Sequence, residues 1–358
     1  MSRVVITGMD AITHLGIGHE ALNMGFFSRE KSQPETWVSS ENQIELKGYR
    51  IDDKVENFKN LLSPFNTRNM DRFAKINVAT IALGLQNANL TPNQLEKTGF
   101  IMSTIYGPWE STNRYTKELV KSGPTSVSPR LFPNTVVNSA QGHVCISFQI
   151  KGPTSTLAGQ SAIPYAVSLI QKGAADRVIV AGADEANENV MEAFNQLGSP
   201  ITFGEGVGVL ILESAESAIE RQAHIYGEIG DYALGCEPSM NLWFEEGNPD
   251  SAIYEELLSG ISLSDSPNEL AIISAANGSE VVATIEGRLQ QELEKSGKKL
   301  QMHYPKEKYG ETFGASSVLS TINAIHLLNN HEGCEEALVL SNEIGGNHMA
   351  LTLKKWQV

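Results

Sequence analysis

Cysteine is nearly absent from this sequence: three residues, Cys145, Cys236 and Cys334, in a chain of 358. Their separations match neither a metal-ligand spacing nor a C-x-x-C pair, so no metal motif and no redox motif is read from them. An odd, sparse count suits a reducing compartment, and a cytoplasmic setting is expected. Basic residues are also scarce, with 27 Lys and Arg against 42 Asp and Glu, for a formal net charge of −15. No run of five or more basic residues occurs. That balance argues against nucleic acid and against an anionic membrane as partners. Long apolar runs are missing too. None reaches the ~20 residues of a membrane-spanning helix. The opening MSRVVITGMD passes straight into a strand, so no signal peptide is expected.

What is present is ample apolar material, 41% of residues, enough for a large core. The length allows two or three ordinary domains or one large duplicated one. The most informative stretch is KGPTSTLAGQSAIPYAVSLIQKGAADRVIVAGADE, from Lys151 to Glu185. Thr154 to Leu157 reads as a short strand after Gly152-Pro153. Ala158-Gly159 reads as a tight corner where a bulky side chain would clash. From Ser161, the residues Ile163, Ala166, Val167 and Ile170 share one helical face, and Lys172-Gly173 closes the helix. Val178 to Ala181 is then a buried strand. Such an elbow presents one residue at a helix N-terminus, where backbone N–H groups favour negative charge and lower a thiol pKa. That seat suits a cysteine nucleophile. Gln160 occupies it, and an amide cannot serve as a thiolate.

The rest of the chain alternates strands and helices. Val4 to Gly8 is a first strand. Residues from about Phe27 to Pro64 read as a surface excursion with short strands. Arg68 to Asn87 is a helix with Met70, Phe73, Ile76, Val78, Ile81 and Leu85 at helical spacing. Thr98 to Ile105 is a strand, and a helix covers Glu110 to Val120. Gly204-Glu205-Gly206-Val207-Gly208 leads into a strand, which is the wrong context for a dinucleotide loop. In the second half, Glu269 to Ala275 echoes Thr98 to Thr104. Gly314 to Asn329 followed by Ala337 to Ser341 echoes the elbow helix and its strand. The offsets are roughly 160–170 residues, the signature of an internal duplication. We divide the chain at residues 1–220 and 221–358, with α/β layers around buried sheets.

The elbow resembles that of the ketosynthase family, the condensing enzymes of fatty-acid and polyketide synthesis. So do the run Pro133 to Gly142-His143, expected as a helix leading into the elbow strand, and the G-E-G-x-G run. The resemblance covers nearly the whole chain. It implies a thiolase-like duplicated five-layer α/β/α/β/α fold. Ketosynthases use one cysteine and two histidines, and here all three positions differ. Gln160 stands for the cysteine. Ala276 stands for the histidine of H-G-T-x-T, in Ser274 to Ser279. Glu311 stands for the histidine of K-x-x-x-G-H-x-x-G-A, in Lys306 to Ala315. A carboxylate there would repel a developing enolate, and alanine offers it nothing. Ser341 to Asn347 resembles the family's G-F-G-G-x-N loop, which supplies an oxyanion N–H and a phenylalanine gate. In that loop Glu343 replaces a glycine and Ile344 the gate aromatic, ahead of Gly345 and Gly346. The family's longer loop between Asn187 and Gly204, with its tryptophan and R-D-G-F element, is missing.

Glutamine at the nucleophile position resembles the chain-length factor, the catalytically silent partner of a ketosynthase in type II polyketide synthases. The resemblance implies a heterodimer with a cysteine-bearing ketosynthase, no condensing activity alone, no metal and no cofactor. It implies that acyl carrier protein is met mainly through the partner, in aromatic polyketide or aryl-polyene assembly. The patch of Arg68, Arg72 and Lys75 is the local exception to an acidic surface. Ile105, Tyr106, Trp109, Thr112 and Asn113 are the candidates for closing the partner's acyl tunnel, on a helix at the dimer interface. Gln160 itself reads as a polar filler, a structural amide or a decarboxylase element. His143 reads as a structural histidine, and Glu311 as the partner of Lys306 or Lys308. Two other functions stay open: a divergent acyltransferase or hydrolase using Glu311 as base, and a homodimeric acyl-binding protein.

Overall fold

A computed structural model describes residues 2–30, 32–52, 54, 56–237, 248–264, 269–343 and 345–357. Ten strands form one path of hydrogen-bonded neighbours. Its first half runs inward from the edge as Thr154–Ala158, Gly99–Thr104, Arg177–Asp184, Gly206–Ser214 and Val4–Thr13. Its second half runs outward as Gly227–Cys236, Asn347–Lys354, Cys334–Asn342, Glu269–Ile273 and Leu300–His303. Strands from each half thus follow the same sequence of roles. The halves join where Val4 to Ile6 pairs antiparallel with Gly227 to Ile229. The two expected sheets are therefore hydrogen-bonded into one.

Side-chain alternation turns this sheet into five layers. Val178 and Val180 face a central cluster, while Ile179, Ala181 and Ala183 face an outer one. Ala271 and Ile273 face the same central cluster, and Leu270 and Ile272 face a second outer one. The middle layer holds the helices Ala162–Gln171 and Ser316–Asn330. The latter is buried at every position from Ser316 to Leu328, with serine and threonine as well as apolar side chains turned into the core. Arg72–Asn87 covers one outer face, and Ile253–Ser259 with Glu280–Lys295 covers the other. The thiolase-like five-layer arrangement is the fold of this chain.

Several boundaries differ from expectation. The first strand, expected to end at Gly8, continues to Thr13, and the strand expected at Val178 to Ala181 spans Arg177–Asp184. The helix expected from Arg68 begins at Arg72, because the Asp71 carboxylate caps it by accepting the Ala74 N–H at 2.8 Å. The helix expected within Pro133 to His143 is a 3₁₀ turn at Phe132–Asn134 followed by a helix Ser139–Phe148. The excursion near the N-terminus supplies the strands Glu35–Val38 and Glu45–Tyr49, joined by Phe203–Gly204 in a small sheet. That sheet reaches the second half, where Gly204 N–H donates to Glu311 O and Glu311 N–H to Thr202 O, both at 2.8 Å.

Candidate functional site

The elbow forms as its residues dictate. Gly159 turns the chain at φ +107°, and a Cβ there would collide with the Glu343 carboxylate. Gln160 follows, 2% exposed, immediately before the helix Ala162–Gln171. Its backbone N–H donates to Glu343 Oε1. Its side-chain Nε2 donates to Asn342 O at 2.6 Å, and its carbonyl accepts from the Ser317 hydroxyl at 3.2 Å. Gln160 Oε1 is buried without a hydrogen-bond partner among the described residues.

Glu343 reaches the elbow from the loop between Cys334–Asn342 and Asn347–Lys354. Gly345 and Gly346, at φ +85° and +81°, let that loop turn back, so that Glu343 N–H donates to Asn347 O at 2.9 Å. Asn347 Nδ2 donates to the second carboxylate oxygen at 3.3 Å. Burial pushes the Glu343 carboxyl above its ordinary range, opposed by these donors. Ile344 lies outside the described residues. Beside the elbow is a cavity of about 220 Å³, lined by Gln160, Ser161, Glu343 and His348 among others. His348 is 3% exposed, and burial pulls its pKa down to about 4.

Glu311 is 1% exposed and its two oxygens are filled. Oε2 accepts from Lys306 Nζ at 2.6 Å and from Asn277 Nδ2 at 3.1 Å. Oε1 accepts from the Ser316 hydroxyl at 2.6 Å and Phe313 N–H at 2.9 Å. Lys306 also donates to Ala275 O at 3.0 Å. Lys308 points elsewhere, donating to Ser28 O and Glu30 O at 2.7 and 2.8 Å. Glu311 therefore pairs with Lys306 in a buried ion pair. Ala276 is half-buried on a cavity of about 400 Å³ that also touches Lys306 and Tyr304.

Gln160 and Glu311 meet in one hydrogen-bonded network, which passes through Ala275 beside Ala276. Gln160 donates to Asn342 O, and the Asn342 side chain donates to Ala275 O at 3.3 Å. Lys306 shares Ala275 O and holds Glu311. Ser316 holds Glu311, and its neighbour Ser317 returns to Gln160. Behind the network, Glu286 accepts from the Ser274 hydroxyl and from Ala275 N–H. Burial pushes the Glu286 carboxyl up to about 7.

One organiser was not found from the sequence. Asp184 ends the strand after the elbow helix, and burial raises its pKa to about 6. It accepts N–H groups from Ile105 (2.8 Å), Tyr106 (2.9 Å), Gly107 (3.2 Å) and Gly314 (2.8 Å), and the Thr104 hydroxyl at 2.8 Å. It thereby fixes the segment that carries the tunnel candidates. Its only sequence signal is an acid directly after a run of buried strand residues.

The tunnel candidates themselves divide. Ile105 and Tyr106 are half-buried and turned inward, Tyr106 edge-on to Phe313 with ring centroids 5.2 Å apart. Thr112 donates to Pro108 O at 3.1 Å and Thr135 O at 3.0 Å, and Asn113 bonds Asn189. Trp109 begins the helix Trp109–Ser122 and is 40% exposed. His143 Nε2 bonds Asn134 Oδ1 at 2.9 Å, and Asn134 in turn holds Asn69 O, a structural arrangement. Arg72 is not part of a free basic patch. It is drawn to Glu205 and to Ile51 O, leaving Arg68 exposed and Lys75 half-buried.

No helix among the described residues is long and apolar enough to cross a membrane. The family model for the beta-ketoacyl synthase N-terminal domain matches residues 1–218. A 3-oxoacyl-[acyl-carrier-protein] synthase 2 of Synechocystis sp. is 30% identical over 266 residues, covering 66% of this chain and 63% of the relative. The solved structure of an ishigamide ketosynthase/chain length factor superposes with a TM-score of 0.83 at 20% identity, covering 99% of this chain and 100% of that one. A type II polyketide synthase acyl-carrier protein in complex with its ketosynthase, bound to the hexaketide, gives 0.81 at 16% identity, with 99% and 100% covered.

Proposed function

Because this chain belongs to the beta-ketoacyl synthase family, we propose that it is a chain-length factor. In this reading it pairs with a cysteine-bearing ketosynthase, completes the partner's acyl tunnel and sets polyketide length, while performing no condensation itself. The observation that carries the reading is the occupied elbow. Acyl transfer needs a nucleophile and free N–H donors for the oxyanion. Here the nucleophile position is an amide, and its N–H is already bonded to the chain's own Glu343 carboxylate. The positions of both histidines hold an alanine and an ion-paired glutamate.

The outer edge supports a partner subunit. Among the described residues, Thr154–Ala158 ends the sheet with only its inner side paired, so a row of backbone groups is open to another chain. The helices before and after it expose Ile146 and Tyr165, and the preceding segment exposes Phe132, Val136 and Val137. Grouped exposed apolar residues of this kind mark interaction surfaces. Trp109 is the candidate best placed to reach across, since Thr112 and Asn113 are engaged within the chain.

The reading of Glu311 as a general base loses support. A base needs a free lone pair toward substrate, and both Glu311 oxygens are filled.

Native mass spectrometry of this chain, alone and co-expressed with the ketosynthase encoded nearest to it, tests the proposal. A one-to-one heterodimer is expected, with Trp109→Ala shifting product length while condensation persists. A stable homodimer that ignores the ketosynthase and turns over acyl thioesters unaided would overturn it.

A further inference from the structure

Away from the elbow, His19, Glu20 and His326 converge where the helix His19–Phe27 meets the central helix Ser316–Asn330. His19 Nδ1 lies 3.2 Å from His326 Nε2 and 3.6 Å from Glu20 Oε1. The three donor atoms all fall within 4.8 Å of one another. We propose that these residues form a divalent metal site of the Zn²⁺ type, with solvent completing the coordination, that ties the first helix to the central one. Imidazole nitrogen with a single carboxylate is a donor set that such borderline metals favour.

The geometry is close to what a metal requires. With metal–nitrogen bonds of about 2.0–2.1 Å, nitrogens at the observed separation subtend an angle of about 100°. The Glu20 oxygen, at about 2.1 Å from the metal, would subtend about 120° with His19. Both angles are within reach of tetrahedral. His326 is 5% exposed and held in place, while the Glu20 side chain is 69% exposed and free to swing the remaining distance. Asp10 adds a second carboxylate next to the pair, where it accepts the His19 backbone N–H at 2.7 Å. The sequence gives no warning of this group, since the two histidines are 307 positions apart.

The surroundings also say how the site is tuned. Asn87 Oδ1 accepts Met9 N–H at 3.0 Å, and its Nδ2 faces Tyr226 Oη at 2.9 Å and His19 Nε2 at 3.3 Å. His19 Nε2 is therefore an acceptor, and the ring proton sits on Nδ1, directed at His326. Metal binding at Nδ1 moves that proton to Nε2, which then meets an amide donor instead of an acceptor. Asparagine thus weakens the site. An aspartate at the same place would accept both Met9 N–H and His19 Nε2–H, as in carboxylate–histidine–metal arrangements.

Co²⁺ titration of the full-length chain, chelator-treated and free of a histidine tag, reads the site through visible ligand-field absorption. Zn²⁺ then serves as competitor, and a thermal melt as a second readout. One Co²⁺ per chain is expected, displaced by Zn²⁺, with the band abolished in His326→Gln and weakened in Glu20→Gln. Asn87→Asp should tighten binding by about 10–100-fold. Glu20 lies at the surface, so its variant keeps the test valid if His326→Gln fails to fold. Absence of a stoichiometric band, or a band unchanged in Glu20→Gln and Asn87→Asp, would overturn the proposal. None of these readouts depends on a ketosynthase partner.

Discussion

Two carboxylates lie at positions that the resemblance assigns to the family's chemistry, and the protein treats them differently. Glu311 is paired with a buried lysine and satisfied at both oxygens by four donors. Glu343 is half-buried and has no cation bonded to it among the described residues, only one backbone N–H and one side-chain amide. Glu311 is built into the frame, its own N–H and C=O stitched to the small sheet. Glu343 comes from a glycine-hinged loop and lies across the elbow. Under the proposed function, the difference separates two ways of silencing a site: one position is converted to structure, and the other is covered.

The sharpest break of this comparison is Lys306→Met. It leaves Glu311 buried, 1% exposed, without its cation. Removing one partner of a buried pair costs about 3–5 kcal/mol, whereas replacing both by apolar groups is often near neutral. Denaturant unfolding of Lys306→Met and of Lys306→Met/Glu311→Leu measures this. The double variant should recover much of the loss. Equal destabilisation in both would mean that the other three donors to Glu311, not the cation, hold the site together.

A second, smaller effect follows from pH. Glu286 behind the network and Glu185 near Arg72 have carboxyls raised by burial to about 7 and about 8. A raised folded-state pKa means that the folded chain keeps a proton the unfolded chain has lost. Stability is therefore lost as pH rises through the window between the two states. His14, His326 and His348 act oppositely, since burial lowers each to about 4, and their contribution rises with pH until about 6.5. Below pH 6.5 the histidines are offset by these two carboxyls and by Asp10 and Asp184, both raised to about 6. Above it Glu286 and Glu185 dominate, and the melting temperature should fall by roughly 2–5 °C toward pH 8.5. Glu286→Gln keeps the acceptor for Ser274 and should flatten part of that decline. A melting temperature that climbs from pH 6.5 to 8.5 would refute the assignment.

How much of this was legible in the sequence depends on how local each feature is. The elbow was readable because its causes lie within a few residues: a short strand, Gly159, and an apolar helical face. The α/β layering was readable because strands and helices alternate along the chain, and its five-layer form came with the family resemblance. The Lys306–Glu311 pair was half-legible. Five residues is not a helical spacing; the pair meets because a four-residue helix, Lys306–Tyr309, ends at Gly310 with φ +74°. Arg72 looked like surface charge because nothing nearby in sequence announces Glu205, 133 positions away. Replacement of a glycine by Glu343 was visible, but the destination of its carboxylate was not, since Gln160 is 183 positions distant. Asp184 was missed because a buried acceptor for backbone N–H groups has no periodic signature.

The covered elbow can be probed with a thiol. In Gln160→Cys, the new sulfur sits at the helix N-terminus, where a thiolate is normally favoured, but beside the Glu343 carboxylate, which opposes it. In Gln160→Cys/Glu343→Gly, the opposing charge is gone and the backbone N–H is free. One pKa unit of relief changes the thiolate fraction about tenfold below the thiol pKa. Alkylation by iodoacetamide at pH 7 should therefore be up to about tenfold faster in the double variant, less what is lost in nucleophilicity as the pKa falls. Cys145, Cys236 and Cys334 are controlled for by the parent chain. The two variants must also show an alkylation pH profile displaced toward lower pH when Glu343 is removed, because a change in access alone would scale the rate without moving the profile. Identical profiles would mean that the carboxylate does not govern the elbow, and that the proposed silence rests on Gln160 alone.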